Sequence, residues 1–216
     1  MAVEQFNLAE GQRAERKTLI TVAAWLEYTV LTAAPDDWAT NYANYYTKNG
    51  TAYVKVTGAT APTFEAGKYY EGTEERDILG TRTEDSSIEF NPDIETATDI
   101  RGNSYTDMNK TEPEQSFDPF LILGGSKLAP KLHDIMFRNA VSELNQFIMY
   151  IITAYIGNET DGYKTQRQTD CTITYDSLGG DTKVNFPITV HYSNKTTAGT
   201  VDKLSDDFEF TPDVTI

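Results

Sequence analysis

An alternation of side-chain type between residues 88 and 100 constrains this chain more than any other feature. Even-numbered positions carry apolar or β-branched side chains, namely Ile88, Phe90, Ile94, Thr96, Thr98 and Ile100. Odd-numbered positions carry polar and acidic ones, namely Glu89, Asn91, Asp93, Glu95 and Asp99. Because successive side chains of a β-strand point to opposite faces, the pattern predicts a strand with an apolar face toward the core and an acidic face opposite it.

A turn and a returning arm follow this strand. Arg101, Gly102, Asn103 and Ser104 are predicted to form the turn, since Gly and Asn tolerate the positive φ of tight hairpins. In the return arm, Tyr105 to Phe117, Pro113 is compatible only with an edge, a strand end or a bulge. From position 84 to 120, ten acidic and two basic residues give a net charge of −8, over half of the chain's −15.

Three segments, in the order EDSSIEFNPDIETATDIRG, NKTEPEQSFDPF and LGGSKLAPKL, resemble the central signature of major tail tube proteins of long-tailed phages, especially those of Firmicutes and gut bacteria. The resemblance extends from about Arg82 to the C-terminus, with a fainter match in residues 1–32. It implies an antiparallel β-sandwich or barrel with one packed α-helix, whose long hairpin forms part of a barrel shared between subunits.

The same resemblance implies how such a protein works. It implies a homo-oligomer of stacked hexameric rings around a channel through which genomic DNA passes without specific binding. Tape measure, tail terminator and distal tail proteins would be the other partners. The location implied is the virion tail, after assembly in the host bacterial cytoplasm. Glu89, Asp93, Glu95 and Asp99 would then line the channel, whereas an arbitrary acidic strand would face outer solvent.

The overall charge agrees with a surface that nucleic acid does not bind. The chain has 18 basic and 33 acidic residues, and contact with DNA phosphates requires clustered Lys and Arg. Simple solubility is the alternative explanation of this acidity. With 216 residues and 39% hydrophobic content, the chain suits one domain with an insertion, or two small ones.

The first residues and the single cysteine indicate a soluble chain without disulfides. Cys171 has no partner for an intrachain disulfide and is predicted to be a buried, inert thiol. The N-terminal residues contain no apolar signal segment. The run Leu19–Ala34 is interrupted by Glu27 and is too short to cross a bilayer. Residues 1–17 are predicted to be an arm that becomes ordered on meeting a partner.

Many short strands and one helix are predicted along the chain, which favours a mainly β sandwich or barrel. The helix, about Lys127 to Ala140, has an apolar stripe of Leu128, Leu132, Ile135 and Met136. Gly157–Gln168 is predicted to be a polar loop. Predicted strands are Lys17–Trp25, Phe120–Leu123, Gln146–Ile156, Thr169–Tyr175 paired with Lys183–Tyr192, and Ala198–Lys203 paired with Phe208–Thr211.

Residues 33–72 have a different, aromatic composition and are predicted to be a small β module inserted into a tail tube domain of residues 1–32 and 73–216. Tyr45–Val56 predicts a hairpin around an Asn-Gly turn. Two interpretations stay open: the rings form the module's own core, or they form an exposed platform for glycans on the outside of the tube. The aromatic residues concerned are Trp38, Tyr42, Tyr45, Tyr46, Tyr53, Tyr69 and Tyr70.

No catalytic or cofactor-binding pattern is visible, so the chain is not expected to be an enzyme or to hold a metal. Gly124–Lys127 lacks the spacing of a phosphate-binding loop. His133 and His191, with one cysteine, cannot form a Cys/His zinc site. Residues 93–99 lack the glycine and the bidentate Glu of a calcium loop, although weak cation binding there stays an alternative. Two close carboxylates also leave a hydrolase as a remote alternative.

These observations lead to one hypothesis and two alternatives. The hypothesis is a structural subunit of a phage tail tube. The first alternative is the inner tube of a phage-derived contractile bacteriocin or secretion device, which has the same physical requirements. The second is a glycan-binding β module that uses the aromatic insertion.

Overall fold

The computed structural model describes residues 6–50, 52–60, 63–80, 83 and 86–213. These described residues form mainly antiparallel β-structure with two α-helices, which confirms the predicted fold class at that level. The chain divides into two compact units, one of residues 1–24 with 76–216 and one of residues 25–75. We call the first the body and the second the aromatic unit. The aromatic unit thus begins earlier in the chain than the predicted insertion.

The helices and strands are, in chain order, β1 (Leu19–Val30), α1 (Trp38–Asn41), β2 (Tyr45–Asn49), β3 (Ala52–Lys55), β4 (Tyr69–Ile78), β5 (Ile88–Glu89), β6 (Pro92–Thr98), β7 (Ser104–Thr111), β8 (Glu114–Phe117), α2 (Leu128–Arg138), β9 (Phe147–Asn158), β10 (Gly162–Tyr175), β11 (Ile188–His191), β12 (Thr196–Val201) and β13 (Phe210–Pro212). In the body, the strand order is β1-β9-β10-β11-β8-β5, with β12 also paired to β10 and β13 to β12.

Strand β9 is the centre of the body, as predicted for the most apolar segment. It pairs with β1 on one side and with β10 on the other. Its residues Ile148, Tyr150 and Ile152 pack in one hydrophobic cluster with side chains of β1 and β12. The alternate residues Phe147 and Met149 are also buried, so both faces of the strand are covered. Two-sided burial explains why this segment has no polar alternation.

Strand β10 corrects the predicted loop at Gly157–Gln168. The chain turns directly after β9, and β10 begins at Gly162. The first half of β10 pairs with β9 and β12. A bulge in its pairing with β9 follows near Asp170, whose φ is 55°, and beyond it the second half of β10 pairs with β11. Although its sequence is polar, the first half is a strand because its backbone is paired on both edges. The hairpins predicted for β10–β11 and β12–β13 are confirmed.

The predicted strand at Phe120–Leu123 is wrong. Leu121 makes only an isolated bridge with Asn185, and Ile122 is exposed, although Phe120 is buried. Pro119 precedes this segment without an N–H to donate, and Gly124 and Gly125 end it, so too little chain remains for a ladder.

Helix α2 is confirmed, and Asp77 holds its N-terminus. Leu128, Leu132 and Ile135 are fully buried, as their spacing predicts. One carboxylate oxygen of Asp77 accepts hydrogen bonds at 2.8 Å from the backbone N–H groups of Lys127 and Leu128 and from the Ser126 hydroxyl. The two backbone N–H groups are among those that the first turn of a helix leaves without partners. At the other end, Asn139 adopts the left-handed conformation.

The N-terminal arm contacts β9. Between Phe6 and Glu15 it forms no strand or helix. The Asn7 backbone N–H donates to the Tyr155 carbonyl at 3.0 Å, and the Asn7 amide donates to the Gly157 carbonyl at 2.6 Å. Residues 1–5 lie outside the described residues. Ordering of the arm on assembly stays a prediction.

A buried polar network joins the start of β1 to the base of the long hairpin. Gln115 on β8 is fully buried. Its amide oxygen accepts hydrogen bonds from the hydroxyls of Thr21 (3.1 Å) and Tyr192 (2.6 Å). Its amide nitrogen donates to the Ser86 carbonyl at 2.7 Å, which also accepts from Arg16 Nη2 at 3.0 Å. Burial raises the pKa of Tyr192, so its phenol stays protonated and remains a donor.

We expect Gln115→Leu to lower the free energy of unfolding by about 1–3 kcal/mol, because the Tyr192 hydroxyl would lose its buried acceptor. Urea denaturation followed by fluorescence measures this. The control is Ser116→Ala on the same strand, where an exposed hydroxyl contacts Thr189 and its loss should cost less than about 0.5 kcal/mol. Equal losses in the two variants would contradict a special role of Gln115.

Candidate functional site

The feature of the body that most resembles a functional surface is a hairpin that projects from it. Strands β6 and β7 form a two-stranded sheet of their own and pair only with each other in the described structure. All side chains from Pro92 to Lys110 are exposed, apart from a half-exposed Ala97. We call residues 92–111 the projecting hairpin. A two-stranded hairpin of this kind is at best marginally stable in water by itself.

The hairpin is separated from the body by an interruption in both of its strands. Below it, Ile88 and Glu89 of β5 pair with Gln115 and Glu114 of β8. Between β5 and β6, Asn91 has a φ of 40°, which ends the predicted continuous strand of residues 88–100. On the return arm, Pro113 separates β7 from β8, as predicted. The interruption allows β6 and β7 to leave the body sheet.

One face of the projecting hairpin carries apolar side chains and threonine hydroxyls. Ile94 lies opposite Met108, and Thr96 lies opposite Thr106 with their hydroxyls 3.3 Å apart. Ile94 and Met108 are 56% and 65% exposed. The prediction that the apolar positions face the core is therefore wrong beyond Ile88: Phe90 and Ile100 are exposed as well. The physical reason is that the hairpin extends past the body, where there is no core to contact.

The opposite face is acidic, and it places like charges next to each other. Glu95 lies directly opposite Asp107, and Asp93 lies opposite Lys110, which forms an ion pair with Glu112. At the base, Glu89 lies opposite Glu114. Directly opposed like charges destabilise a strand pair. Of the four residues predicted to line a channel, Glu89, Asp93 and Glu95 are exposed on these strands; their place in a channel stays a prediction.

Asp99 has a different role from the other three acids. It begins the turn, and Ser104 is already the first residue of β7, so the turn is shifted from the predicted Arg101–Ser104. The Asp99 carboxylate accepts hydrogen bonds from the backbone N–H groups of Arg101 and Asn103, both at 2.8 Å, and from the Asn103 amide. These donors, Asn103 foremost, lower the pKa of Asp99. Gly102 supplies the positive φ, 85°.

In the aromatic unit, the rings contact one another. Trp38 and Tyr45 are buried and stacked, with centroids 5.0 Å apart, and the edge of Tyr69 meets Trp38. Tyr53 stacks on Tyr28 at 3.7 Å and meets Tyr70 edge-on. Tyr42, Tyr46, Tyr69 and Tyr70 are half-buried. This packing favours the interpretation that the rings form the unit's own core.

The predicted hairpin of the aromatic unit is confirmed. Strands β2 and β3 pair with Thr47 opposite Val54, and Gly50 in their turn has a φ of 62°.

The histidines, the cysteine and the acidic residues of the described ranges form no site that suggests catalysis or metal binding. Within the described ranges, no three His, Cys, Asp or Glu side chains are arranged to hold a metal ion. Cys171 is fully buried, as predicted, and burial raises its pKa. His133 packs on Phe137, with ring centroids 4.3 Å apart, whereas His191 Nδ1 lies 3.6 Å from a Glu114 oxygen. In the described part of the chain, no helix is long and apolar enough to cross a membrane.

Sequence reasoning missed two structural residues: Gln115, which ties the segment before β5 to the body, and Asp77, which holds the N-terminus of α2. Both act through partners distant in the chain. A polar residue between Glu114 and Phe117, at a position whose alternation predicts burial, was the available signal for Gln115.

No protein-family model, curated protein or solved structure matches this chain.

We expect Asp99→Ala to reduce the protection of the hairpin amides between Ile94 and Met108 against hydrogen exchange, because the turn loses its acceptor. Asp107→Asn should maintain or increase that protection, since it removes the repulsion with Glu95. Because the folded-state pKa of Asp99 is lowered, its contribution is present above the unfolded pKa and is lost as the pH falls through the folded one. Hydrogen exchange followed by mass spectrometry of peptides measures the protection of the hairpin amides in both variants. Equal protection in the two variants would contradict this role of Asp99.

Proposed function

We propose that this chain is a structural subunit of a phage tail tube and has no enzymatic role. In this proposal it polymerises as stacked hexameric rings around an acidic channel that conducts DNA during ejection. The observation that supports it is the projecting hairpin, which has an exposed apolar face and free edges on a β-structured body. The resemblance of residues 82–216 to tail tube proteins supplies the ring number, the virion location and the other tail proteins as partners.

Free edges and an exposed apolar face both favour association with further copies. Among the described residues, no third strand pairs with the outer edges of β6 and β7, so another strand can add there. Complete burial of a side chain of the size of Ile94 or Met108 in a contact between copies would stabilise that contact by about 1.5–3 kcal/mol. When the contacting patches on two copies differ, the contact is heterologous and closes into a ring if the rotation permits. The inner tube of a contractile device would meet the same requirements.

The acidic face gives the proposed channel a physical purpose. Lys or Arg in a DNA-conducting channel would exchange counterions with the phosphates and hold the genome. Fixed carboxylates such as those of Glu89, Asp93 and Glu95 repel the phosphates within about one Debye length, ~8 Å at physiological salt. DNA would therefore slide past this face without binding.

Electron microscopy of the purified protein should show rings or tubes of uniform diameter. Met108→Asp should abolish them, because it places a charge in the contact between copies. The matched control is Val54→Asp, an exposed valine on β3 of the aromatic unit, which should assemble as the parent does. Monomeric parent protein at all concentrations, or normal tubes from Met108→Asp, would count against the proposal.

A charge reversal tests the channel itself. Tubes of Glu89→Lys/Asp93→Lys/Glu95→Lys should retain DNA at low salt and release it at high salt, with Asp99 kept because it holds the turn. The control reverses three exposed acids elsewhere on the body, Glu159, Asp176 and Asp181, with the same change in net charge. Retention is measured by co-sedimentation of DNA with assembled tubes. If both variants retain DNA equally, the acidic face does not line the channel.

A further inference from the structure

The strand register of the aromatic unit separates its rings into two sets on opposite faces of one sheet. Tyr45 and Tyr69 belong to the first set, which packs against Trp38. The next residues along these strands, Tyr46 and Tyr70, lie directly opposite each other on β2 and β4. Because successive side chains of a strand point to opposite faces, these two tyrosines lie on the face away from Trp38. The unit therefore has a core face and a second aromatic face.

We call the second face the tyrosine face, and its rings are Tyr28, Tyr46, Tyr53 and Tyr70. Tyr53 stacks on Tyr28 with centroids 3.7 Å apart and meets Tyr70 edge to face at 5.0 Å. Tyr28 also meets Tyr46 edge to face at 5.0 Å. All four side chains are half-buried, so each keeps part of its surface in contact with solvent. They form one connected aromatic surface that a molecule from solution can reach.

Gly72 on β4 makes room for this surface. The Tyr46 ring lies over it, and a Cβ at position 72 would come within 2.5 Å of the Tyr46 Cε2 atom. The backbone at Gly72 has no positive φ, so the close approach of the ring is what calls for glycine here. Any side chain at this position would displace Tyr46 and interrupt the tyrosine face.

The fold leaves hydroxyl groups of the tyrosine face without protein partners. Within the described ranges, the hydroxyls of Tyr46, Tyr53 and Tyr70 form no hydrogen bond with another protein group. On the core face, in contrast, the Tyr45 hydroxyl donates to Asp37 at 2.6 Å. Phenylalanine would pack the same rings as well, so the hydroxyls of the tyrosine face suit a ligand with polar groups of its own.

Two lysines give the tyrosine face a positive charge. Lys55 lies opposite Tyr46 and Lys48 lies opposite Tyr53, so the register places both lysines on the same face as the rings. The Lys48 ammonium is 5.4 Å from the centroid of the Tyr53 ring. Both lysines are exposed, and neither forms an ion pair within the described ranges.

Nearby carboxylates of the unit do not neutralise these lysines. Glu71 points to the core face, as its register on β4 shows. Glu65 forms an ion pair with Lys68 instead. Glu74 shares the tyrosine face of β4 but takes part in another interaction, and it lies about 13 Å along the strand from the row that contains Lys55. At physiological salt, attraction between exposed charges at such a distance is largely screened.

We propose that the tyrosine face binds an acidic saccharide. The rings contact the C–H surface of the sugar, the tyrosine hydroxyls bond with sugar hydroxyls, and Lys48 and Lys55 pair with the sugar carboxylates. Single-stranded nucleic acid also stacks on aromatic rings, but its affinity depends on many phosphate contacts, and this face offers two cations. The inference concerns the aromatic unit and does not rest on the proposed self-assembly.

Titration calorimetry of the full-length chain with a short oligogalacturonate tests the inference. We expect saturable binding with a dissociation constant below about 10 mM. The methyl ester of the same oligosaccharide keeps the sugar ring and loses the charge, so it should bind about 2- to 5-fold more weakly. An oligothymidylate of the same charge should bind more weakly than the oligogalacturonate. Absence of saturable binding, equal affinity for acid and ester, or tighter binding of the oligothymidylate would overturn the inference.

A ring variant locates the binding surface. Tyr53→Ala should weaken binding of the oligogalacturonate about tenfold, because Tyr53 contacts two of the other rings. The matched control is Tyr105→Ala, which removes an exposed tyrosine of the projecting hairpin and should bind as the parent does. Equal loss of affinity in the two variants would overturn the assignment to the tyrosine face.

A lysine variant keeps the inference testable if the loss of Tyr53 unfolds the unit. Lys48→Gln/Lys55→Gln changes two exposed side chains and leaves the rings in place. It should bind the oligogalacturonate and its methyl ester with equal affinity, whereas Lys68→Gln should keep the preference of the parent for the acid. A preference for the acid that is unchanged in Lys48→Gln/Lys55→Gln would overturn the inference.

Discussion

The buried amide of Gln115 is the interaction on which the geometry of the body depends. It connects three parts of the chain: β1 through Thr21, the segment before β5 through Ser86, and the end of β11 through Tyr192. Each of these groups would be costly to bury without a partner. Because Arg16 also binds Ser86, the N-terminal arm is joined to the base of the hairpin through the same network. The position from which the hairpin leaves the body is thus determined by polar contacts in a desolvated site.

Beyond that base, the chain is organised in a way that does not favour the isolated subunit. The projecting hairpin exposes Ile94, Met108 and Ile100, and it opposes Glu95 to Asp107. These features reduce the stability of a hairpin that pairs with no third strand of the described structure. A sequence that keeps such conflicts has them at surfaces where another molecule resolves them. Most of these conflicts lie in residues 92–111, although Glu89 opposite Glu114 and the exposed Phe90 lie at the base of the hairpin.

The errors of the sequence-based predictions have a common cause: a local pattern does not show what lies beside the segment in the folded chain. The pattern at 88–100 predicts a strand with two different faces, and the pairing of Ile94 with Met108 and of Glu95 with Asp107 agrees with that. It does not show that the strand leaves the body, since apolar side chains have the same alternation whether a core or a neighbour covers them. At Gly162–Gln168, polar residues predict a loop, yet backbone pairing to β9 and β12 makes this segment a strand.

By itself, the sequence determined the class of fold, the central strand, the helix and the presence of an acidic hairpin. These follow from the periodicity of apolar side chains and from glycine and proline positions, both of which act over a few residues. Only the tertiary structure decided that Gln115 and Asp77 hold distant segments together, that Asp99 belongs to the turn, and that Ile100 is presented away from the body. Each of these depends on contacts between residues far apart in the chain, or on the direction in which a segment leaves the core, and neither leaves a periodic signal.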